Sequence, residues 1–91
     1  MKGKRIVRIE NWEIMTSISP EVSPYLRGNV YDHPRFDNGD LVNTSKITGI
    51  SKDRNDVETH NSLYILLGDP KHERDIEMLE TMRRMHHGEA K

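Results

Sequence analysis

Along the first two thirds of the chain, apolar residues recur at alternate positions, and near its end they recur every three or four. The two periods predict strands followed by a helix. Over about 4–17, Val7 and Ile9 share one parity and Trp12 and Ile14 the other. The switch at Glu10-Asn11 predicts one long strand with a bulge or bend in it. Leu26, Gly28 and Val30 alternate with Arg27, Asn29 and Tyr31, giving a half-buried strand over about 26–32 in which Gly28 leaves room for close backbone approach or a bulge. A third, more polar strand is expected over about 41–50, with Leu41 and Ile47 on one parity and Val42, Thr44, Thr48 and Ile50 on the other. Val57, Thr59, Leu63, Ile65 and Leu67 are in phase and predict a fourth strand running unbroken over about 57–67.

The connections carry their own signals. Pro20 and Pro24 exclude a ladder strand or a long helix from 17–24, where Ser19-Pro20-Glu21 has the order of a single helical turn. His33 to Asp40 is dense in turn residues: Asn38-Gly39 tolerates positive φ at both positions, so the chain reverses there. Ser51 to Asp56 reads as a charged loop. A helix is expected over about 70–87, with Asp69 as its N-cap, Pro70 at the first position, acidic residues in its first half, Arg83, Arg84, His86 and His87 in its second, and Gly88 as the stop. Ile76, Met78, Leu79, Met82 and Met85 form its apolar stripe, which packs on the sheet or on a second copy.

Four consecutive strands with short connections and one terminal helix make a single α+β, mainly β, domain over 1–91: a small antiparallel meander or half-open barrel with a C-terminal amphipathic helix. Composition makes its core lean. Only 33% of the residues are apolar, and Leu, Ile, Val and Phe make up just over a fifth of the chain, at the lower edge of what folded domains carry. Burial in a two-fold dimer or a partner complex would add to such a core, so self-association is expected.

A formal charge of -1 provides no overall field towards nucleic acid or anionic membrane. The absence of cysteine removes disulfides, thiolate catalysis and cysteine-ligated metals. No apolar run approaches transmembrane length, and Arg8 and Glu10 interrupt the stretch that follows Lys2, Lys4 and Arg5 before a signal core forms, which places the chain in the cytoplasm.

Little chemistry is legible. His72 and His86 are about 21 Å apart along the expected helix, and His86 and His87 point about 100° apart, so they form no common site. The Asp37-Asn38-Gly39-Asp40 cluster lacks the spacing and closing Glu of an EF-hand, with Thr48 in that last place. Turn formation accounts for it better, and no metal or cofactor is expected; a His33/His60 pair on neighbouring strands is the least strained alternative. No nucleophile elbow, P-loop or glycine fingerprint occurs, so the reading is non-enzymatic, with a metal-dependent hydrolase a distant third. Lys4, Arg5 and Arg8 beside Trp12, or Tyr25, Tyr31, Tyr64 and Phe36 near Arg27 and Arg35, would suit an OB-like barrel that stacks single-stranded nucleic acid, although acidic residues interleave throughout.

The central stretch, Gly28-x-Val30-x-x-His33-Pro34-Arg35-Phe36-x-x-Gly39-x-x-Val42-x-Thr44-Ser45-x-Ile47, resembles a pattern in small, mostly uncharacterised bacterial and bacteriophage proteins. Their turn runs Phe-x-Asp-Gly, whereas here Asn38 precedes Gly39. The resemblance covers about a quarter of the chain and implies a small β domain of mobile-element or accessory type, with no catalytic residues to transfer. The expected function is therefore a protein-binding module, for example an inhibitor acting on a host complex, with Tyr31, His33, Arg35 and Phe36 as the candidate partner-binding residues. Phe36, the only phenylalanine, either folds back as a plug on the core, the favoured reading, or stands out as an anchor.

Overall fold

The computed structural model describes residues 4–16, 23–51 and 55–88, with side chains described as far as Arg84. The strands are β1 (Arg5–Met15), β2 (Tyr25–Tyr31), β3 (Leu41–Ile50), β4 (Asp56–Thr59) and β5 (Ser62–Leu67), followed by the helix α1 (Arg74–Gly88). Each strand pairs antiparallel with the next, and β5 returns to lie parallel to β1, so the meander closes into a five-stranded barrel. Mainly β with one C-terminal helix is thus the architecture expected from the pattern, but the barrel is closed rather than half open. Its strand order is consecutive, unlike the Greek key of an OB-fold. The possible helical turn at 19–21 lies outside the described residues, as do residues 52–54 of the expected charged loop.

Strand corners come from extra residues. In β1, Asn11 and Trp12 face the single residue Gly28 of β2, and Asn11 takes a φ of 54°, which a short polar side chain tolerates. The bulge moves Trp12 and Ile14 to the same interior as Val7 and Ile9, as the parity switch in the sequence predicts. Gly28 is required beside it, because a Cβ there would sit 2.8 Å from Ile9 Cγ1 and 2.9 Å from the Glu10 carbonyl oxygen. A second bulge places Thr44 and Ser45 of β3 opposite Leu26, whose N–H donates to Thr44 Oγ1 at 2.9 Å. It puts Val42 and Ile47 inside and leaves Leu41 exposed, which strict alternation along β3 does not anticipate.

The expected continuous strand over 57–67 is two strands. Thr59 Oγ1 accepts the Ser62 N–H at 3.3 Å and donates to the Ser62 carbonyl at 3.2 Å, closing a tight turn over His60 and Asn61. The turn resets the parity. Val57 and Thr59 face inward as expected, but beyond it Ser62, Tyr64 and Leu66 do so, while Leu63, Ile65 and Leu67 are half-buried on the outer side.

α1 covers one end of the barrel. β1 continues past its last partner on the β5 side, the pair Glu10 and Leu67, so Trp12 and Ile14 face an edge with no strand. The chain leading into the helix supplies the missing partners: Lys71 N–H donates to the Trp12 carbonyl at 2.7 Å, and Ile14 N–H donates to Asp75 Oδ1 at 3.1 Å. Asp75 Oδ2 also accepts the His72 N–H at 3.1 Å, the reach-back half of a capping box. The helix therefore starts at Arg74 rather than at Pro70, and Asp69 is not its cap. Nearby, the Glu13 carboxylate, with only 10% of its side chain exposed, gathers His72 Nε2 at 3.3 Å, Lys71 Nζ at 3.8 Å and Arg27 Nε at 3.9 Å.

The interior holds Val7, Ile9, Trp12, Ile14, Leu26, Val30, Val42, Ile47, Val57, Tyr64 and Leu66, and Leu79 of the helix joins them. Met78 and Met82 pack at the margin of this cluster. Ile76 does not: it is 46% exposed, because the tether at Asp75 turns that side of the first helical turn into the barrel and its neighbour outward. The Met85 side chain lies outside the described residues.

Candidate functional site

At the end of the barrel away from α1, the chain between β2 and β3 forms a loop over residues 32–40 that is held by its own polar groups. Val30 and Asp40 open it: the Val30 N–H donates to the Asp40 carbonyl at 2.9 Å, and the Gly39 N–H returns a bond to the Val30 carbonyl at 2.7 Å. Gly39 takes a φ of 93°, a region that disfavours side chains. Within the loop, the Asp32 N–H donates to Asn38 Oδ1 at 2.9 Å, and the Asp37 N–H to Asp40 Oδ2 at 3.0 Å. Arg8 anchors Asp32 to β1 with Nε at 2.8 Å from Oδ2. The Asp and Asn residues thus build the turn, as their density predicts.

This loop holds His33, Arg35 and Phe36 over the barrel mouth. The Arg35 N–H donates to His33 Nδ1 at 3.0 Å, so the neutral imidazole carries its proton on Nε2. Phe36 meets the His33 ring edge-on, with centroids 4.7 Å apart and planes at 64°, and remains 41% exposed. The plug reading fails on this point. The small pocket below it is lined mostly by polar residues, with Val42 and Tyr64 of the core at its side, and the ring rests on an imidazole at the rim rather than entering the apolar core.

Beneath the loop lies a cleft of about 210 Å³, to which β1 contributes Arg5, the β4–β5 turn Asn61, and β5 Ser62 and Tyr64. Of these four, the sequence groups only Tyr64 with loop residues, as part of a base-stacking face with Phe36 and Arg35; Arg5, Asn61 and Ser62 carry no signal that joins them to the loop. They come to the mouth only because β5 closes onto β1, a pairing that local pattern does not encode. Their arrangement sets the electrostatics. Partial desolvation, and then the charges of Arg5 and Arg35, push His33 below the ordinary imidazole range. The Tyr64 phenol is pushed up by burial, against smaller opposing effects of a hydrogen bond with Ser62 and the charge of Arg5. No carboxylate lines the cleft among the described residues, and neither Arg5 nor Arg35 forms an ion pair there.

Tyr31 is not brought to the cleft with the other three candidates. It faces outward on β2 and donates its hydroxyl to Glu10 Oε2 at 2.7 Å, a bond that raises its pKa. The proposed aromatic stacking face is also divided, because Tyr64 points into the barrel while Tyr25 and Tyr31 lie on the outer side of β2. Trp12 is buried in the core, so it does not join Lys4, Arg5 and Arg8 on a surface. His60 sits on the β4–β5 turn, and among the described residues no three His, Asp or Glu side chains gather into a metal-binding group.

A larger hollow, about 720 Å³, lies between α1 and β3; Pro24, Ile47, Met78 and Met82 line it together with Arg74, Glu77 and Thr81. Thr16 and Ser23 line it too and flank residues outside the described set. No described helix is long and apolar enough to cross a membrane. No protein-family model, no curated protein and no solved structure matches the chain.

Proposed function

We propose that the chain is a non-enzymatic binding module that engages a protein partner through the 32–40 loop and the barrel mouth beneath it. The observation that carries this reading is Phe36: a large apolar ring, 41% exposed, on a loop whose backbone is pinned by hydrogen bonds. A rigid aromatic beside Arg35 is the combination that dominates binding energy at interfaces, and pinning the loop in advance reduces the entropy lost on association. The motif over residues 28–47, which resembles small bacterial and bacteriophage proteins, supports an accessory role such as inhibition of a host complex in the cytoplasm.

The test is a pull-down from bacterial lysate with wild type, Arg35→Ala and Phe36→Ala, with thermal melts alongside. Both variants are expected to lose the partner while stability changes by less than about 0.5 kcal/mol for Arg35→Ala, an exposed substitution. Equal recovery of the same protein by all three would move the binding surface elsewhere.

A second reading, single-stranded nucleic acid, draws on Arg5, Arg35 and Phe36 at one mouth. Ionic strength separates the two. Phosphate tracking loses affinity steeply between low and moderate salt, whereas an interface anchored by an aromatic ring responds little.

A further inference from the structure

We propose that the open end of the barrel is an oxyanion site whose ligand is a phosphate monoester bearing a planar or apolar group, held between Arg5 and Arg35 with that group against Phe36. The proposal extends the reading of the loop as a binding surface and rests on it only for the role of Phe36.

Charge comes first. Lys4 faces Glu58, Arg8 faces Asp32, and Arg27 and Lys71 face Glu13, whereas Arg5 and Arg35 share a cleft with no described carboxylate. Two guanidinium groups brought together without a counter-charge repel one another, and a bound dianion removes that cost. The planar fork of Arg matches the oxygens of phosphate, and two forks balance two negative charges where a single carboxylate would balance one. Neutral residues able to donate also line it, among them Asn43, Asn61 and His33, whose Nδ1 is occupied by the Arg35 N–H and whose proton is therefore on Nε2.

Size then limits the ligand. A volume of about 210 Å³ lies below the range of roughly 300 to 1,000 Å³ that holds a whole small molecule. The cleft takes the charged group and little more, so the rest of the ligand must lie at the rim, where Phe36 is exposed.

Two probes test this by NMR on the intact protein: sulfate, which stays doubly charged across the pH range of imidazole titration, and phenyl phosphate. Each is titrated against chloride at matched ionic strength. Saturable shifts are expected at the Arg35, Phe36 and Asn61 amides, and sulfate should move the His33 titration midpoint upward, because a bound anion favours imidazolium. Arg5→Gln and Arg35→Gln should each weaken sulfate binding about tenfold or more, the loss expected for a charge-assisted contact, with unchanged melting temperatures. Phenyl phosphate should bind more tightly than sulfate, and Phe36→Ala should abolish that margin without abolishing sulfate binding.

Shifts that grow linearly and equally in wild type and both arginine variants are general screening and overturn the site. Equal affinity for the two probes overturns the contact with Phe36. Because the readout needs only this chain, its failure leaves the protein-binding reading standing, and failure of the pull-down leaves this one.

Discussion

Asp75 ties the start of α1 to the end of β1, with Oδ1 accepting the Ile14 N–H and Oδ2 the His72 N–H. As an acid in the first turn of a helix, it reads as a solvated charge favoured by the macrodipole. In the fold it is fully buried, and both carboxylate oxygens accept backbone N–H groups, one of them from a different element. Nothing local distinguishes it from Glu77, because the orphan donor it satisfies exists only where β1 outruns β5. Asp75→Ala leaves the buried Ile14 N–H without an acceptor and should cost about 1–3 kcal/mol, whereas Glu77→Ala should change stability by less than about 0.5 kcal/mol. Denaturant melts of the two variants make the comparison, and equal small effects would remove the tether. Phe36 gives the converse lesson. Its isolation in a turn marks it from sequence, but whether it points in or out depends on what lies below, and most of the residues there are polar.

At the scale of elements, the alternation in β1 and β2 was legible because each buries one face and the bulge leaves its mark as a change of parity. β4 and β5 were not separated. Val57, Thr59, Leu63, Ile65 and Leu67 keep step across the turn by coincidence, and the signal that breaks the run is the polar group His60-Asn61-Ser62 in its middle. The helix was legible as an amphipathic segment, but the width of its apolar stripe exceeded the part it buries. Leu79 is 4% exposed and joins the core, while Ile76 stands in solvent. Leu79→Ala should therefore cost about 2–5 kcal/mol and Ile76→Ala less than about 0.5 kcal/mol. Comparable losses at both positions would mean that Ile76 is covered in solution by something other than the barrel.

The whole molecule puts a helix over one end of a small barrel and a cationic cleft at the other. The lean core that leads to the expectation of a two-fold dimer is closed within one chain, and self-association is a question for sedimentation. A species at twice 10.6 kDa at high micromolar concentration supports the dimer, and a lone 10.6 kDa species removes it. The parallel return of β5 to β1 bears on how any partner can attach. An open sheet ends in strands whose amide and carbonyl groups invite another chain to add to it, both in recognition by strand addition and in the growth of fibrils. Here the first and last strands occupy each other's edges, and where β1 runs on alone the lead-in to the helix takes the place of a neighbour. A peptide offering a strand would have to part β1 from β5 to pair there, so among the described residues a visitor is left with the edge of β3 over residues 41–46, short of its first pair with β4, and with the side chains beside it at the barrel's mouth.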